Sequence, residues 1–132
     1  MIALVLETSA FVAIGLQEPD AAVFTHRLQN MGGRVVLPAS GYLEAMMVLT
    51  SQGVPRVWID TFLSDSEITL HPISGIIARL AADAFERYGR GSGHPARLNF
   101  GDCLSYAVAI ELDAPLLFKG QDFAHTDVKR AI

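Results

Sequence analysis

Four of the chain's 14 acids stand where a solvated surface role explains them poorly. Glu7 closes the apolar run Ile-Ala-Leu-Val-Leu at 2–6, and Glu44 lies within Tyr-Leu-Glu-Ala-Met-Met. Asp102 lies within Asn-Phe-Gly-Asp-Cys-Leu, and Asp122 follows Leu116-Leu117-Phe118 and precedes Phe123. Charged side chains are rarely buried without a partner. Carboxylates gathered in one place repel each other unless cations join them. Hard divalent ions such as Mg2+ and Mn2+ take oxygen ligands, keep several waters, and can bridge carboxylates to a substrate phosphate. Each acid also has a structural use on its own. Asp102 can favour a helix dipole from the first turn, Asp122 can serve a turn, Glu7 can sit at a helix entry, and Glu44 can lie on an exposed face. Glu18, Asp20, Asp65, Glu67, Asp83 and Glu86 read as solvated groups.

The elements that must position these acids alternate between strand and helix. The unbroken apolar run at 2–6 suits a strand buried on both faces of a parallel sheet. Thr8-Ser9 then offers a cap for a helix from about Ala10. Glu18-Pro19-Asp20 breaks that helix and opens another, which reaches about Asn30 and ends at Gly32-Gly33. Arg34 to Leu37 is a second strand, with a helix from Gly41 to about Ser51 after it. Trp58, Ile59, Phe62 and Leu63 give a helical apolar stripe, and Ile68 to Leu70 a third strand. A helix runs from Ser74 to Tyr88, and a flexible basic loop covers 89–95. Asn99 to Leu112 is helical, Leu116 to Phe118 is a fourth strand, and the tail from Thr126 adds a short final strand. The alternation predicts an α/β sandwich with a mainly parallel central sheet. Ligands of such sheets bind beyond the carboxyl ends of the strands, where Glu7 and Asp122 both fall.

The 132 residues fit a single domain spanning 1–132. The composition is 51% hydrophobic and mean hydropathy is +0.33, which calls for a strongly buried sheet or a large covered surface. No apolar run reaches the length of a membrane span, and the first residues lack the basic flank of a signal peptide. With the single cysteine, Cys103, no internal disulfide or cysteine-based zinc cage can form. A cytoplasmic protein is expected. The net charge of −4 is a mild argument against a nucleic-acid partner.

With the acids placed, the chain resembles the PIN-domain family, and within it the VapC-type toxins. The resemblance covers essentially the whole chain. It is carried by a strand followed by acid-Thr-Ser-Ala (Val5 to Ala10), by Tyr-Leu-Glu at Glu44, by Asn-Phe-Gly-Asp (Asn99 to Asp102), and by Leu-Leu-Phe-Lys-Gly-Gln-Asp-Phe (Leu116 to Phe123) with Thr126-Asp127 beyond. It implies a three-layer α/β/α fold and Mg2+- or Mn2+-dependent hydrolysis of RNA phosphodiesters by an endoribonuclease toxin. Glu7, Glu44, Asp102 and Asp122 match the family's acidic quartet as catalytic and metal-binding residues. Ser9 matches a supporting hydroxyl, and Asp127 an outer member. Glu7, Asp102 and Asp122 would hold the main ion, while Glu44 completes the cluster or accepts a proton from the attacking water. The first position is usually Asp, and the extra methylene of Glu7 moves the carboxylate outward by one bond. Mg2+ tolerates little distortion. Native ligation by Glu7, a weakened enzyme and an engineered attenuation are all open readings. A VapB-type antitoxin and a homodimer are implied partners.

The site's own acids supply much of the negative charge, and bound cations would offset them. Arg79, Arg87, Arg90 and Arg97, with Lys119, could contact phosphates. Arg90, His94, Arg97 and Lys119 are the candidate RNA-binding residues, against the alternative of a solvated face and loop. No histidine is required; His26, His71 and His125 read as ordinary residues, and His94 is the exception because it lies in the basic loop. Tyr42, Tyr88 and Tyr106 either stack on bases or pack in the core. Phe11, Met46, Met47, Trp58, Ile59 and Phe62 either line a groove for an antitoxin or form core. A catalytically impaired PIN domain that only binds RNA or antitoxin is the first rival. A receiver or aspartyl-phosphate phosphatase is the second, but Glu7-Thr8-Ser9 lacks the paired acids both require. A DNA-directed PIN nuclease is the third, and the short chain speaks against it.

Overall fold

The computed structural model describes residues 1–30 and 32–132. Its strands are β1 (Ile2–Leu6), β2 (Arg34–Pro38), β3 (Ile68–His71) and β4 (Leu116–Leu117). They form one sheet in the order β3-β2-β1-β4, and every pairing is parallel. The helices are α1 (Thr8–Gly15), α2 (Ala21–Gln29), α3 (Ala39–Ser51), α4 (Arg56–Asp65), α5 (Gly75–Tyr88) and α6 (Phe100–Leu112).

Strand alternation divides the interior in two. Val5, Val36 and Leu116 point to one face and pack with Ile77, Ala81 and Ala84 of α5 and with Leu104, Ala107 and Val108 of α6. Leu4, Leu6, Val35, Leu37 and Leu117 point to the other and meet Phe11 of α1, Leu49 of α3 and Ile59 of α4. Successive strand residues thus feed opposite cores, and the three-layer α/β/α arrangement expected from the sequence is the one found. Each fully buried Leu or Ile stabilises the fold by roughly 1.5–3 kcal/mol of apolar transfer. Helix α6 is buried along almost all of Gly101 to Ala109, so an apolar stripe on one side would not suffice, and its sequence is apolar all round.

The element boundaries differ from the sequence reading at several places; β2 and β3 each run one residue further, to Pro38 and His71. Helix α1 begins at Thr8 rather than near Ala10, because Glu7 and not Thr8-Ser9 is its N-cap: the Glu7 side chain accepts from the Ser9 N–H. Helix α3 begins at Ala39, directly after Pro38. Proline suits a helix entry because it has no N–H to satisfy. Strand β4 ends at Leu117, leaving Phe118 outside the ladder. The tail makes an isolated parallel bridge, Leu116 to Arg130, rather than a further strand. The basic loop after α5 is closed at its base by a bridge between Gly89 and Leu98, with Arg90 N–H donating to the Leu98 carbonyl at 2.9 Å.

Candidate active site

The site forms where strands β1, β2 and β4 end side by side. Leu6 pairs with Leu117, and the Glu7 N–H continues the ladder by donating to the Leu117 carbonyl at 3.0 Å. The chain leaving β2 passes directly into α3, which carries Glu44, and the chain leaving β4 leads to Asp122. Helix α6 brings Asp102 in its first turn.

Glu7 is only 4% exposed. Its Oε2 accepts from the Ser9 N–H at 2.8 Å and also from the Ser9 hydroxyl. Burial pushes its carboxyl up from 4.5 to about 7, with the Asp102 and Glu44 charges adding to the rise and the Ser9 donors opposing it. The Ser9 oxygen in turn accepts from the Lys119 N–H at 2.8 Å, so β1 and the segment after β4 are tied at the carboxylate. Ser9 therefore holds Glu7 directly.

Glu44 is fixed by residues from two directions. The Thr8 hydroxyl donates to Glu44 Oε1 at 2.9 Å. On the other side, a Cβ built on Gly101 would lie 1.9 Å from Glu44 Oε2, so the carboxylate occupies the space that any side chain at 101 would need. Neither Thr8 nor Gly101 was a candidate from sequence. The Gly of Asn-Phe-Gly-Asp was the available signal, because a glycine inside a helix costs about 1 kcal/mol relative to Ala and calls for a packing reason.

Asp102 forms a reciprocal capping box with Asn99. Its N–H donates to Asn99 Oδ1 at 2.8 Å, and its Oδ2 accepts from the Asn99 N–H at 3.1 Å. Burial raises its carboxyl from 3.8 to about 6; the Asn99 donor opposes this, the Asp122 and Glu44 charges add to it, and Arg90 opposes it. Asp122 is exposed at the start of a short 3-10 turn, Phe123–His125, and its side chain makes no capping bond. The mutual influence of these charges places all four carboxylates in one neighbourhood.

The donor set suits a hard cation. Glu7, Glu44 and Asp102 each have one oxygen anchored by a protein donor. Among the described residues, the second oxygen of each has no hydrogen-bond donor. The candidate ligand atoms are all oxygen, and the carboxyls of Glu7 and Asp102 are raised by burial first and by neighbouring acids second, with Arg90 offsetting the rise at Asp102 only in part. Among the described residues, no three acid, histidine or cysteine side chains converge tightly enough to form a closed cage.

Other sequence candidates are distributed around this centre. Asp127 accepts from the Tyr106 hydroxyl at 2.5 Å and the Tyr88 hydroxyl at 3.2 Å, with Arg87 at 3.7 Å. The Tyr106 bond chiefly holds its carboxyl below the usual range. This carboxylate fastens the tail to α5 and α6. Arg90 is exposed and its charge reaches Asp102; Arg97 is exposed and has a left-handed backbone, φ 52°. His94 packs edge-on against Tyr88 at 4.8 Å, and its Nδ1 accepts from the Ala96 N–H at 3.0 Å, so its ring shapes the loop. Lys119 Nζ contacts Glu18 at 2.9 Å and Asp20 at 3.2 Å. Tyr88 and Tyr106 are buried, and the Tyr42 hydroxyl donates to Asp60 at 2.6 Å. Of the apolar group, Phe11 and Ile59 are fully buried core, Trp58 and Phe62 stack on Phe11, and Met47 is exposed.

The PIN domain model matches residues 4–129, which takes in all four acids. The chain belongs to the PIN-domain family. Within that family it is 47% identical over 131 residues to ribonuclease VapC28 of Mycobacterium tuberculosis, covering 98% of each chain. It is 40% identical over 130 residues to ribonuclease VapC42 of the same organism, covering 97% of this chain and 98% of that one. The fold of this PIN domain is similar to the crystal structure of VapC20 from Mycobacterium tuberculosis, with a TM-score of 0.75 at 15% identity over 96% of both chains. The sequence assignment to PIN domains and VapC-type ribonucleases is thus borne out. No helix among the described residues is long and apolar enough to cross a membrane.

Proposed function

We propose that this PIN domain is the endoribonuclease toxin of a VapBC-type pair, and that it hydrolyses RNA phosphodiesters with Mg2+ or Mn2+. What supports the reading is the electrostatic proximity of Glu7, Glu44, Asp102 and Asp122 beyond the ends of β1, β2 and β4. Two of these carboxyls, Glu7 and Asp102, are pushed up by burial and by neighbouring acids of the set. Glu7, Asp102 and Asp122 would hold the ion, and Glu44 would complete the set. A divalent ion in such a site supplies Lewis-acid stabilisation of the phosphate and acidification of water. The protein orients and moves the proton. Glu44, held by Thr8 on one oxygen and packed against Gly101 with the other, accepts the proton of the attacking water. The water oxygen bonds to phosphorus, and the bond from phosphorus to the leaving ribose oxygen breaks. Ser9 keeps Glu7 in place during turnover, Asp127 supports the site by holding the tail, Arg90 and Arg97 supply phosphate contacts, and Lys119 does so only by leaving Glu18 and Asp20. His94 acts through the shape of the loop.

A VapB-type antitoxin covers the active site and adjoining apolar surface in this reading, the toxin is a homodimer, and it works in the cytoplasm. The test is cleavage of RNA in Mn2+ by this chain and by Asp102→Asn, with EDTA as control. Activity should require the metal and fall by about 100-fold or more in the variant. Equal activity of the two proteins would sink the proposed site.

One observation favours a second reading, a binding module with weak turnover. Glu7 bends back as an N-cap onto Ser9, although Glu is not among the preferred N-cap residues. Glu7→Asp decides between them. A rise in cleavage rate identifies Glu7 as attenuating; an unchanged or lower rate identifies it as the native ligand.

A further inference from the structure

Phe100 is 83% exposed, more than any other aromatic side chain among the described residues. Its ring has no stacking or cation partner among them. The exposure is not that of a frayed end. Asn99 and Asp102 close their capping box on either side of Phe100, with bonds of 2.8 and 3.1 Å. Gly101, the next residue, is buried against the Glu44 carboxylate. The backbone around Phe100 is therefore held by the Asn99–Asp102 capping box and by the close approach of Gly101 to Glu44, while its ring is left in water.

From this we infer that Phe100 is a base-stacking residue of the active site, on which a nucleobase next to the scissile phosphate lies. The inference rests on the ribonuclease reading and adds the contact that holds the substrate's base. The site's carboxylates repel a phosphate backbone, Arg90 offsets them only in part, and Lys119 is already paired with Glu18 and Asp20. Affinity at this point must then come partly from a contact that does not depend on charge. Base-on-ring stacking is such a contact, and it tolerates sequence because every base has a π face. An apolar ring at the rim of an anionic site is of little use to the free protein, since the fold withholds it from the core.

The experiment uses the full chain and a short single-stranded RNA of mixed sequence in Mn2+. Steady-state constants are measured for the wild type and for Phe100→Ala, Phe100→Leu and Phe100→Trp. The Ala and Leu variants should raise KM by roughly tenfold, with kcat changed far less and Trp near the wild type. RNA carrying 2-aminopurine at successive positions should be quenched on binding by the wild type and the Trp variant, and not by Ala or Leu. Thermal unfolding of each variant checks the fold, and Leu retains bulk if Ala proves unstable. Leu performing as well as Trp would overturn the inference, because apolar bulk alone would then suffice, as it would for a protein partner or a second copy. KM unchanged in every variant would also overturn it, as would a variant effect confined to the sedimentation of the dimer. If the wild type shows no metal-dependent cleavage, the ribonuclease reading falls and this inference with it; cleavage with unaltered KM removes stacking alone.

Discussion

Glu7→Gln should make the metal-free protein more stable at pH 8 and leave it unchanged at pH 4. The buried carboxyl is raised from 4.5 to about 7, so ionising it costs more in the folded chain than in the unfolded one. Stability from this group is complete below the unfolded value of 4.5 and is lost as pH rises through the folded value of about 7. Above that range the wild type carries a penalty of about 3 kcal/mol. Gln has the same shape, and its amide oxygen can keep both Ser9 donors that Glu7 Oε2 now accepts. The amide NH2 would then face the neighbouring acids favourably. At about 2.1 cal/mol/K of unfolding entropy per residue, 3 kcal/mol corresponds to a rise in Tm of about 10 °C. Thermal unfolding followed by circular dichroism in EDTA, at pH 4 and pH 8, measures it. An equal shift at both pH values would refute the electrostatic reasoning, as would a lower Tm for the variant at pH 8. Mn2+ should raise the wild-type Tm at pH 8 more than that of the variant, because a bound cation offsets the charge that Gln lacks.

Gly101→Ala separates activity from stability. The new Cβ would meet a carboxylate at the end of a flexible side chain, so Tm should change by only a few degrees, while RNA cleavage drops by about tenfold or more as Glu44 is displaced. A full rate in this variant would show that Glu44 placement is unimportant. Asp127→Asn should do the reverse, lowering stability by about 1–2 kcal/mol at neutral pH through the weakened Tyr106 and Tyr88 bonds, with cleavage reduced far less than in Gly101→Ala. The Asp127 carboxyl is held below its usual value of 3.8, so the stabilisation is present above that value and is lost as pH falls through the folded one. The difference from the wild type should accordingly shrink in acid, as measured by urea unfolding at neutral and low pH.

The layered fold was legible because apolar periodicity is a local property. The run ending at Leu6 has no polar face, as a central parallel strand requires, and the Ile76-Ile77, Leu80-Ala81, Ala84 spacing marks α5 without reference to anything outside it. The four acids could be read as a group because each interrupts an otherwise apolar or capping pattern. Their fastenings could not. Glu7, Thr8 and Ser9 are adjacent, and by type Thr8 and Ser9 are the capping candidates, yet Glu7 takes the cap. Only the burial of Glu7 decides among them, and burial comes from the sheet. The bond from Thr8 to Glu44 spans 36 positions, and those from Tyr88 and Tyr106 to Asp127 span 39 and 21; distances of this kind are set by strand order, which no local pattern contains. Lys119 shows the same limit: its side chain read as a free cation, and the fold gives it Glu18 and Asp20.

The first strand of this chain is completed by its last. Glu7 is aligned by the Leu117 carbonyl and, through Ser9, by the Lys119 N–H, while Asp122 lies later still. During synthesis the N-terminal part emerges first, yet the pairing that sets its acid has to wait for residues 110 positions later. A growing chain on the ribosome therefore carries Glu7 and Glu44 without the strand that brings the site together. If the proposed activity holds, the protein would in this way be made next to RNA with its site unassembled until β4 and the segment after it have left the ribosome.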